Sequence, residues 1–246
     1  MIRIVFLVWL SLLLSASPAL PRDHALVCGV AAGFPPYQFT RDGQATGFDV
    51  EVAAAVCARI ATRVRFEQGN WDTILNLLRF EKIDMITGME INAFRNDYFE
   101  FSIPYAQRHD VVFVPANSSA TKIEDLYGQF ITGDRHSFVE LLWKDLGIHR
   151  NLRIMQTETK AESMELLATG RTVAAVMPLE VGIYLARERG FAVRVLTNPD
   201  PGSEVAIALR KGHPELLEKI NRALRDMEAQ GELRALKTKW FSRPAD

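Results

Sequence analysis

Short apolar runs with strand character alternate along this chain with segments whose apolar residues recur at the helical period. In the first half, strands are predicted at residues 25–31, 64–66 and 83–87. The helices between them present apolar faces formed by Phe48, Val52, Ala55, Val56 and Ile60, and then by Trp71, Ile74, Leu75 and Leu78. A βαβαβ order requires a parallel sheet that is covered by helices, so the sequence predicts an α/β fold.

A second α/β set follows an extended run at residues 111–114, which ends at Pro115. Its predicted strands are residues 130–132, 152–155, 173–177 and 192–196, and its predicted helices lie near residues 138–142, 161–168 and 181–188. The chain becomes extended again at 205–209, and Pro214 begins a helical tail. This order predicts two lobes joined by two extended crossings, with residues 20–110 plus 206–246 in lobe 1 and residues 111–205 in lobe 2.

The N-terminus has the pattern of a secretory signal peptide. Arg3 precedes an apolar run at residues 4–14, and the small residues Ser17 and Ala19 follow. The apolar run is well short of the roughly 20 residues that a membrane-spanning helix needs. We therefore expect a signal peptide at residues 1–19, cleavage after Ala19, and a soluble protein that is exported to the periplasm.

Charge and cysteine content limit the classes of function. The net charge is -1 and no basic stripe with interleaved aromatic residues is present, which argues against nucleic acid as a partner. No second pair of Cys or His has ligand spacing, so no metal is expected. In an oxidising compartment Cys28 and Cys57 could form a disulfide bridge, and the alternative is two buried free thiols.

An arginine stands at a position suited to binding a carboxylate. Arg95 follows the predicted strand at 83–87 and precedes the segment Phe-Ser-Ile-Pro-Tyr at 101–105. A guanidinium group can hold a carboxylate through two parallel hydrogen bonds. The alternative is a surface arginine paired with Asp97 or Glu100.

These segments together resemble the bacterial extracellular solute-binding proteins of family 3, the amino-acid-type binding proteins of ABC importers. The resemblance spans nearly the whole mature chain and rests on residues 34–39, 47–51, 71–84, 87–105, 209–216 and 239–241. It implies a type II Venus flytrap, in which each lobe is a mostly parallel sheet flanked by helices. It also implies a monomer without a cofactor, whose partners are a small ligand and a membrane permease.

The resemblance implies ligand-binding roles for five residues of the first lobe. Arg95 would bind the ligand's carboxylate. Tyr37 and Trp71 would supply aromatic walls, although Tyr37 could equally belong to the core. Thr87 and Gly88 would present backbone or hydroxyl groups to the ligand.

The chain departs from the family pattern at three places. In the second lobe a helix N-terminus would bind the carboxylate, and there Ser137 keeps a hydroxyl group while His136 replaces a glycine. Glu90 stands at a Ser or Thr position, where it could neutralise Arg95, bind a ligand ammonium or face outward. Leu179 occupies the place of the aspartate that binds the ammonium, so the neighbouring Glu180 is the candidate substitute.

The leading hypothesis is a periplasmic binding protein, not an enzyme, that captures an amino acid or analogue for an ABC importer. A receptor that presents the ligand to a sensor would use the same cleft. A cyclohexadienyl or arogenate dehydratase-like lyase is the alternative from another class, with Glu90 or Glu180 as general acid and Arg95 as anchor. A protein that has lost its ligand is the remaining alternative.

Overall fold

The computed structural model describes residues 25–133, 143–196 and 201–242. The strands are β1 (Leu26–Ala31), β2 (Gly33–Phe34), β3 (Gln38–Arg41), β4 (Gln44–Thr46), β5 (Val64–Gly69), β6 (Met85–Glu90), β7 (Phe99–Phe101), β8 (Ala106–Arg108), β9 (Asp110–Pro115), β10 (Phe130–Thr132), β11 (Arg153–Met155), β12 (Ala174–Pro178), β13 (Val193–Leu196) and β14 (Ser203–Arg210). The helices are α1 (Phe48–Arg59), α2 (Trp71–Arg79), α3 (Ala93–Asn96), α4 (Lys160–Ala168), α5 (Leu179–Glu188), α6 (Pro214–Ala229) and α7 (Glu232–Phe241). The predicted signal peptide lies outside the described residues.

The first lobe is built on a six-stranded sheet with the order β5-β1-β6-β14-β7, in which β8 also pairs with β14. Strand β1 is parallel to both β5 and β6, because α1 and α2 carry the chain back across the sheet between them. The predicted parallel βαβαβ unit is confirmed. Strand β14 arrives from the second lobe and runs antiparallel to β6, β7 and β8.

The second lobe is built on a five-stranded sheet with the order β11-β10-β12-β9-β13. Strand β10 is parallel to β11 and β12, whereas β9 is antiparallel to β12 and β13. Part of its core is a cluster around Ile131, Trp143 and Val176. The two-lobe α/β fold predicted from the alternation of strands and helices is therefore confirmed.

A small antiparallel sheet of β2, β3 and β4 was not predicted from the sequence. The β3–β4 turn contains Asp42 and Gly43, both at positive φ. Asp-Gly at such a turn is a strong hairpin signal, because both central positions require positive φ. The strands on either side are short and polar, so they lack the apolar alternation that predicts strands.

The C-terminal tail, which was predicted to be helical, forms two helices. Gly231, with φ of 75°, separates α6 from α7. The break turns α7 onto the first lobe, where the Phe241 ring lies 4.8 Å from the Phe48 ring and 5.1 Å from the Tyr37 ring. In the described part of the chain no helix has both the length and the apolar character needed to cross a membrane.

The two lobes touch along one side of the molecule. The ring of Tyr184 in α5 lies 5.8 Å from the ring of Phe39 in β3, and α4 packs against β2. One apolar cluster contains residues of both lobes, including Val30 in the first and Met177 in the second. The hairpin of the first lobe therefore faces α4 and α5 of the second lobe.

The tentative Cys28–Cys57 bridge is not formed, since both residues are buried free thiols. Cys28 Sγ donates instead to the Gly29 carbonyl at 3.7 Å. Burial raises the pKa of the Cys57 thiol to about 11, and burial together with Cys57 raises the pKa of Cys28 further still.

We expect neither cysteine to react with a thiol reagent at pH 8 in the native protein, because the thiolate is the reactive form and both groups are buried and protonated. Both should react after unfolding in denaturant without reductant. Thiol titration in the two states measures this. Unfolded protein that becomes reactive only after reduction would show that the bridge exists.

Candidate functional site

The short helix α3 positions Arg95 at the end of β6. The Asn92 side chain caps this helix by accepting from the Arg95 backbone N–H at 2.8 Å. The guanidinium Nη1 donates to the Glu90 carbonyl oxygen at 2.7 Å, and the guanidinium carbon Cζ lies 5.6 Å from the centre of the Trp71 ring. The structure thus brings together Arg95 and Trp71, two of the residues singled out from the sequence.

The guanidinium of Arg95 is partly removed from water, and its positive charge is poorly compensated. Burial lowers its pKa; Glu90 opposes that effect and Arg108 adds to it. Within the described ranges no carboxylate, including those of Asp97 and Glu100, lies at ion-pair distance from it. A desolvated guanidinium without an anion is the arrangement expected of a site for a carboxylate ligand.

Glu90 supplies a negative charge beside this cation. Its carboxylate acts to raise the pKa of both Arg95 and Arg108, so it lies within electrostatic reach of the two guanidinium groups. It is half-buried and forms no ion pair with any residue that the structure describes. An uncompensated cation and an acid side by side can bind the two opposite charges of an amino acid.

A second arginine, which was not singled out from the sequence, lies beneath this pair of charges. Arg108 ends β8 and is only 4% exposed. Its Nη2 donates to Asp49 Oδ2 at 2.5 Å, and its Nη1 donates to the Gly88 carbonyl at 2.9 Å. Burial would lower the pKa of Arg108, but the Asp49 carboxylate acts together with Tyr37, Glu90 and Tyr105 to offset this and raise it. Asp49 itself is fully buried in the first turn of α1.

Asp49 is the centre of a buried hydrogen-bond network. Its carboxylate also accepts from Gln38 Nε2 at 3.0 Å and from the Tyr105 hydroxyl at 2.8 Å. The Thr87 hydroxyl contacts the Tyr105 oxygen at 3.1 Å and donates to the Asp49 backbone oxygen at 3.1 Å. The predicted presentation of Thr87 to the ligand is thus replaced by a supporting role, since its hydroxyl group is used within the protein.

The predicted aromatic wall Tyr37 is buried. The Arg108 guanidinium lies 4.2 Å from the centre of its ring, and the Phe34 ring stacks on it at 5.7 Å. Burial raises the pKa of Tyr37; Arg108 opposes this, while Asp49 and Glu180 add to it. The core alternative stated for Tyr37 fits this environment better than a wall that a ligand contacts directly.

Glu180 reaches this region from the second lobe. It stands in the first turn of α5, whose first residue Leu179 donates its N–H to the His109 carbonyl at 2.9 Å. Its carboxylate acts to raise the pKa of Tyr37, so it lies within electrostatic reach of the first lobe. The remaining predicted contact, Ser137, and its neighbour His136 lie outside the described residues.

One signal in the sequence could have revealed Arg108. Asp49 falls among Phe48, Val50, Val52 and Ala53, so an acid lies on the face of α1 that packs into the core. A buried carboxylate needs a cation or several donors. The chain contains 29 lysine and arginine residues, and only the fold shows which of them is the partner.

Comparisons with known proteins identify the family and the fold. The sequence profile of the bacterial extracellular solute-binding proteins, family 3, matches residues 26–243. The arginine-binding extracellular protein ArtP of Bacillus subtilis (strain 168) is 25% identical over 222 residues, which cover 88% of this chain and 86% of ArtP.

Two solved structures share the fold over nearly their whole length. An ancestral arginine-binding protein bound to glutamine has a TM-score of 0.79 and 30% identity, covering 89% of this chain and 98% of that one. The second is the ancestral amino acid-binding protein AncCDT-1, which is described as a precursor of cyclohexadienyl dehydratase. Its TM-score is 0.79 at 28% identity, and the match covers 89% of this chain and 96% of that one.

Proposed function

This chain belongs to the bacterial extracellular solute-binding proteins of family 3, and from this premise we propose that it captures an amino acid or a close analogue between its two lobes for an ABC importer. The names of its relatives, which bind arginine or cystine, support an amino acid as the ligand class. We also propose that it acts as a monomer in the periplasm after loss of residues 1–19. The lobe boundaries at 110/111 and 205/206 belong to the same proposal.

The observation that carries this proposal is the state of Arg95. Its guanidinium is desolvated, donates to the Glu90 carbonyl, and has no carboxylate partner among the residues of known placement. A ligand carboxylate would supply the missing negative charge through two parallel hydrogen bonds. Trp71 lies over the same guanidinium and would bound the site on one side.

The ligand's ammonium would be met by a carboxylate on either side of the cleft. Glu90 belongs to the first lobe and lies near Arg95, whereas Glu180 belongs to the second lobe and lies within electrostatic reach of Tyr37. A contact from Glu180 would exist only when the lobes are closed, so it would favour closure on the ligand. Ser137 in the second lobe is proposed as a further contact to the carboxylate.

We expect Arg95→Met to lower the affinity for the ligand by at least about 30-fold, since removing one partner of a buried charge pair costs roughly 2–5 kcal/mol. The Tm of the free protein should change little, because methionine keeps the apolar stem and the side chain loses one hydrogen bond among the residues that the structure describes. Calorimetric titration against a panel of amino acids and other small carboxylates measures the affinity, and a thermal scan measures the Tm.

Arg65→Met is the matched control for this experiment. Arg65 lies on the same lobe, is exposed and pairs with Glu67 at 3.1 Å. It should therefore leave both affinity and Tm unchanged. Equal affinities for wild type and Arg95→Met would show that the carboxylate binds elsewhere.

The similarity to AncCDT-1 makes a lyase the second function to test. A dehydratase of this kind needs a general acid near the group that binds the carboxylate, and Glu90 and Glu180 are the two candidates. Because relatives are named as binding proteins, we expect purified protein to bind a ligand without consuming arogenate or prephenate. Release of carbon dioxide from either compound at a rate that depends on Glu90 or Glu180 would replace the binding proposal with an enzymatic one.

A further inference from the structure

Two aromatic rings and a carboxylate surround the guanidinium of Arg108. The group lies 4.2 Å from the centre of the Tyr37 ring and 5.2 Å from the centre of the Phe34 ring. Asp49 accepts a hydrogen bond from Nη2 and the Gly88 carbonyl accepts one from Nη1. We call the surroundings formed by Phe34, Tyr37, Asp49 and the Gly88 carbonyl the cation box.

The cation box has the chemistry of a site for a free guanidinium or ammonium ion. Aromatic faces attract a cation through their quadrupole, most strongly where water is excluded, and a carboxylate adds a charge-assisted hydrogen bond. The side chain of Arg108 fills this box but does not satisfy all of its own hydrogen-bond donors there. Arg108 Nε is buried and has no hydrogen-bond partner within the described part of the protein.

The cation box adjoins the charges proposed to hold the ligand. Arg108 lies within electrostatic reach of Glu90 and Arg95, and Tyr37 lies within reach of Glu180 from the second lobe. Phe34 belongs to β2, the strand that contacts α4 of the second lobe. The box is therefore buried in the first lobe, on the side of that lobe where β2 contacts the second lobe.

We propose that Arg108 is a specificity-determining residue whose guanidinium permanently occupies the cation box, so that this protein accepts amino acids without a positively charged side chain. The proposal rests on the binding function proposed above and names the ligand class. Asp49 is already neutralised by Arg108 and cannot serve a ligand cation. A lysine or arginine side chain at this place would instead meet the positive charge of Arg108, a repulsive device that discriminates by charge.

The first test is a calorimetric comparison of ligands on the wild-type protein. Neutral and acidic amino acids should include the tightest ligand, and arginine and lysine should bind at least roughly tenfold more weakly, which corresponds to about 1.4 kcal/mol. This outcome separates the chain from relatives that are named as arginine-binding. Arginine or lysine as the tightest ligand would overturn the inference and leave the proposed binding function intact.

The second test uses Arg108→Ala, which empties the cation box and leaves Asp49 without its cation. Guanidinium chloride or methylguanidinium, at concentrations well below those that denature, should raise the Tm of this variant above that in sodium chloride of equal ionic strength. The wild-type protein and the double variant Arg108→Ala/Asp49→Ala should show no such rise, because the box is filled in one and lacks its carboxylate in the other.

The two tests fail independently. The stabilisation of Arg108→Ala by guanidinium is measured without any amino acid. This result is therefore valid even if the wild-type protein binds no ligand and the proposed function fails. A variant that guanidinium does not stabilise, whether it is folded or unfolded at the outset, overturns the inference. Enhanced arginine binding by Arg108→Ala relative to wild type would support it directly.

Discussion

Asp49→Ala should lower the free energy of unfolding by roughly 3–5 kcal/mol, the cost of removing one partner from a buried ion pair. Asp49 is fully buried and Arg108 is 4% exposed, so water cannot replace the lost carboxylate. The substitution also removes the acceptor for Gln38 and Tyr105. Because the whole stability of a domain is about 5–15 kcal/mol, this loss should be evident in equilibrium denaturation with urea.

Glu51→Ala is the control on the same helix turn. Glu51 is also acidic, but its ion pair with Lys239 is at the surface, with the two side chains 30% and 60% exposed. Its removal should cost no more than about 1 kcal/mol. Equal losses for the two variants would show that the effect comes from the first turn of α1 and not from the buried pair.

A double-mutant cycle separates the ion pair from its surroundings. Asp49→Ala and Arg108→Ala should each lower the free energy of unfolding strongly. The double variant should lower it by much less than the sum of the two single effects, because it leaves no charge buried without a partner. Additive losses would mean that the two side chains stabilise the fold independently.

The periodicity of apolar residues predicted many of the strands and helices, because it largely determines which segments form them. The parallel arrangement of β1, β5 and β6 follows from helices that are recognisable by their own period. The position of β14 between β6 and β7 was not predictable in the same way. That pairing joins segments more than a hundred residues apart, and nothing in an apolar run such as residues 205–209 identifies its neighbours or their direction.

The candidate site likewise contains residues that the local sequence indicates and residues that only the fold brings together. Arg95 was recognisable because its segment has a characteristic order of residue types. Arg108 follows Ala106 and Gln107 in a short strand without an apolar pattern, and only the fold brings it to Asp49, 59 positions earlier. Thr87 and Tyr37 were predicted as ligand contacts, but hydrogen bonding and burial, which are properties of the folded state, turn both of them inward.

These buried contacts support the charges that are proposed to face the ligand. The Gly88 carbonyl holds Arg108, and two positions along the same strand the Glu90 carbonyl holds Arg95. Strand β6 therefore fixes one guanidinium group inside the protein and the other at the cleft. The backbone of β6 must bend at Gly88 for this, where φ is 73° and the pairing with β14 changes register between Ala206 and Ala208.

Gly88→Ala should therefore be among the most damaging substitutions in the chain, with a loss of more than about 3 kcal/mol in the free energy of unfolding. A left-handed conformation costs a residue with a Cβ atom roughly 1–2 kcal/mol. At Gly88 the added carbon would also overlap with Gln38 Nε2 and Asp49 Oδ2. The clash thus separates the groups that compensate Arg108, and urea denaturation measures the combined loss.

Gly128→Ala isolates the contribution of the backbone. Gly128 has φ of 76°, close to that of Gly88, but a Cβ atom there would meet nothing within 4 Å. The free energy of unfolding of this variant should fall only by the roughly 1–2 kcal/mol that the left-handed conformation costs. If Gly88→Ala lost no more than Gly128→Ala, Gln38 and Asp49 could move aside freely. The network beneath the cleft would then be too loose to hold Arg108 in the cation box.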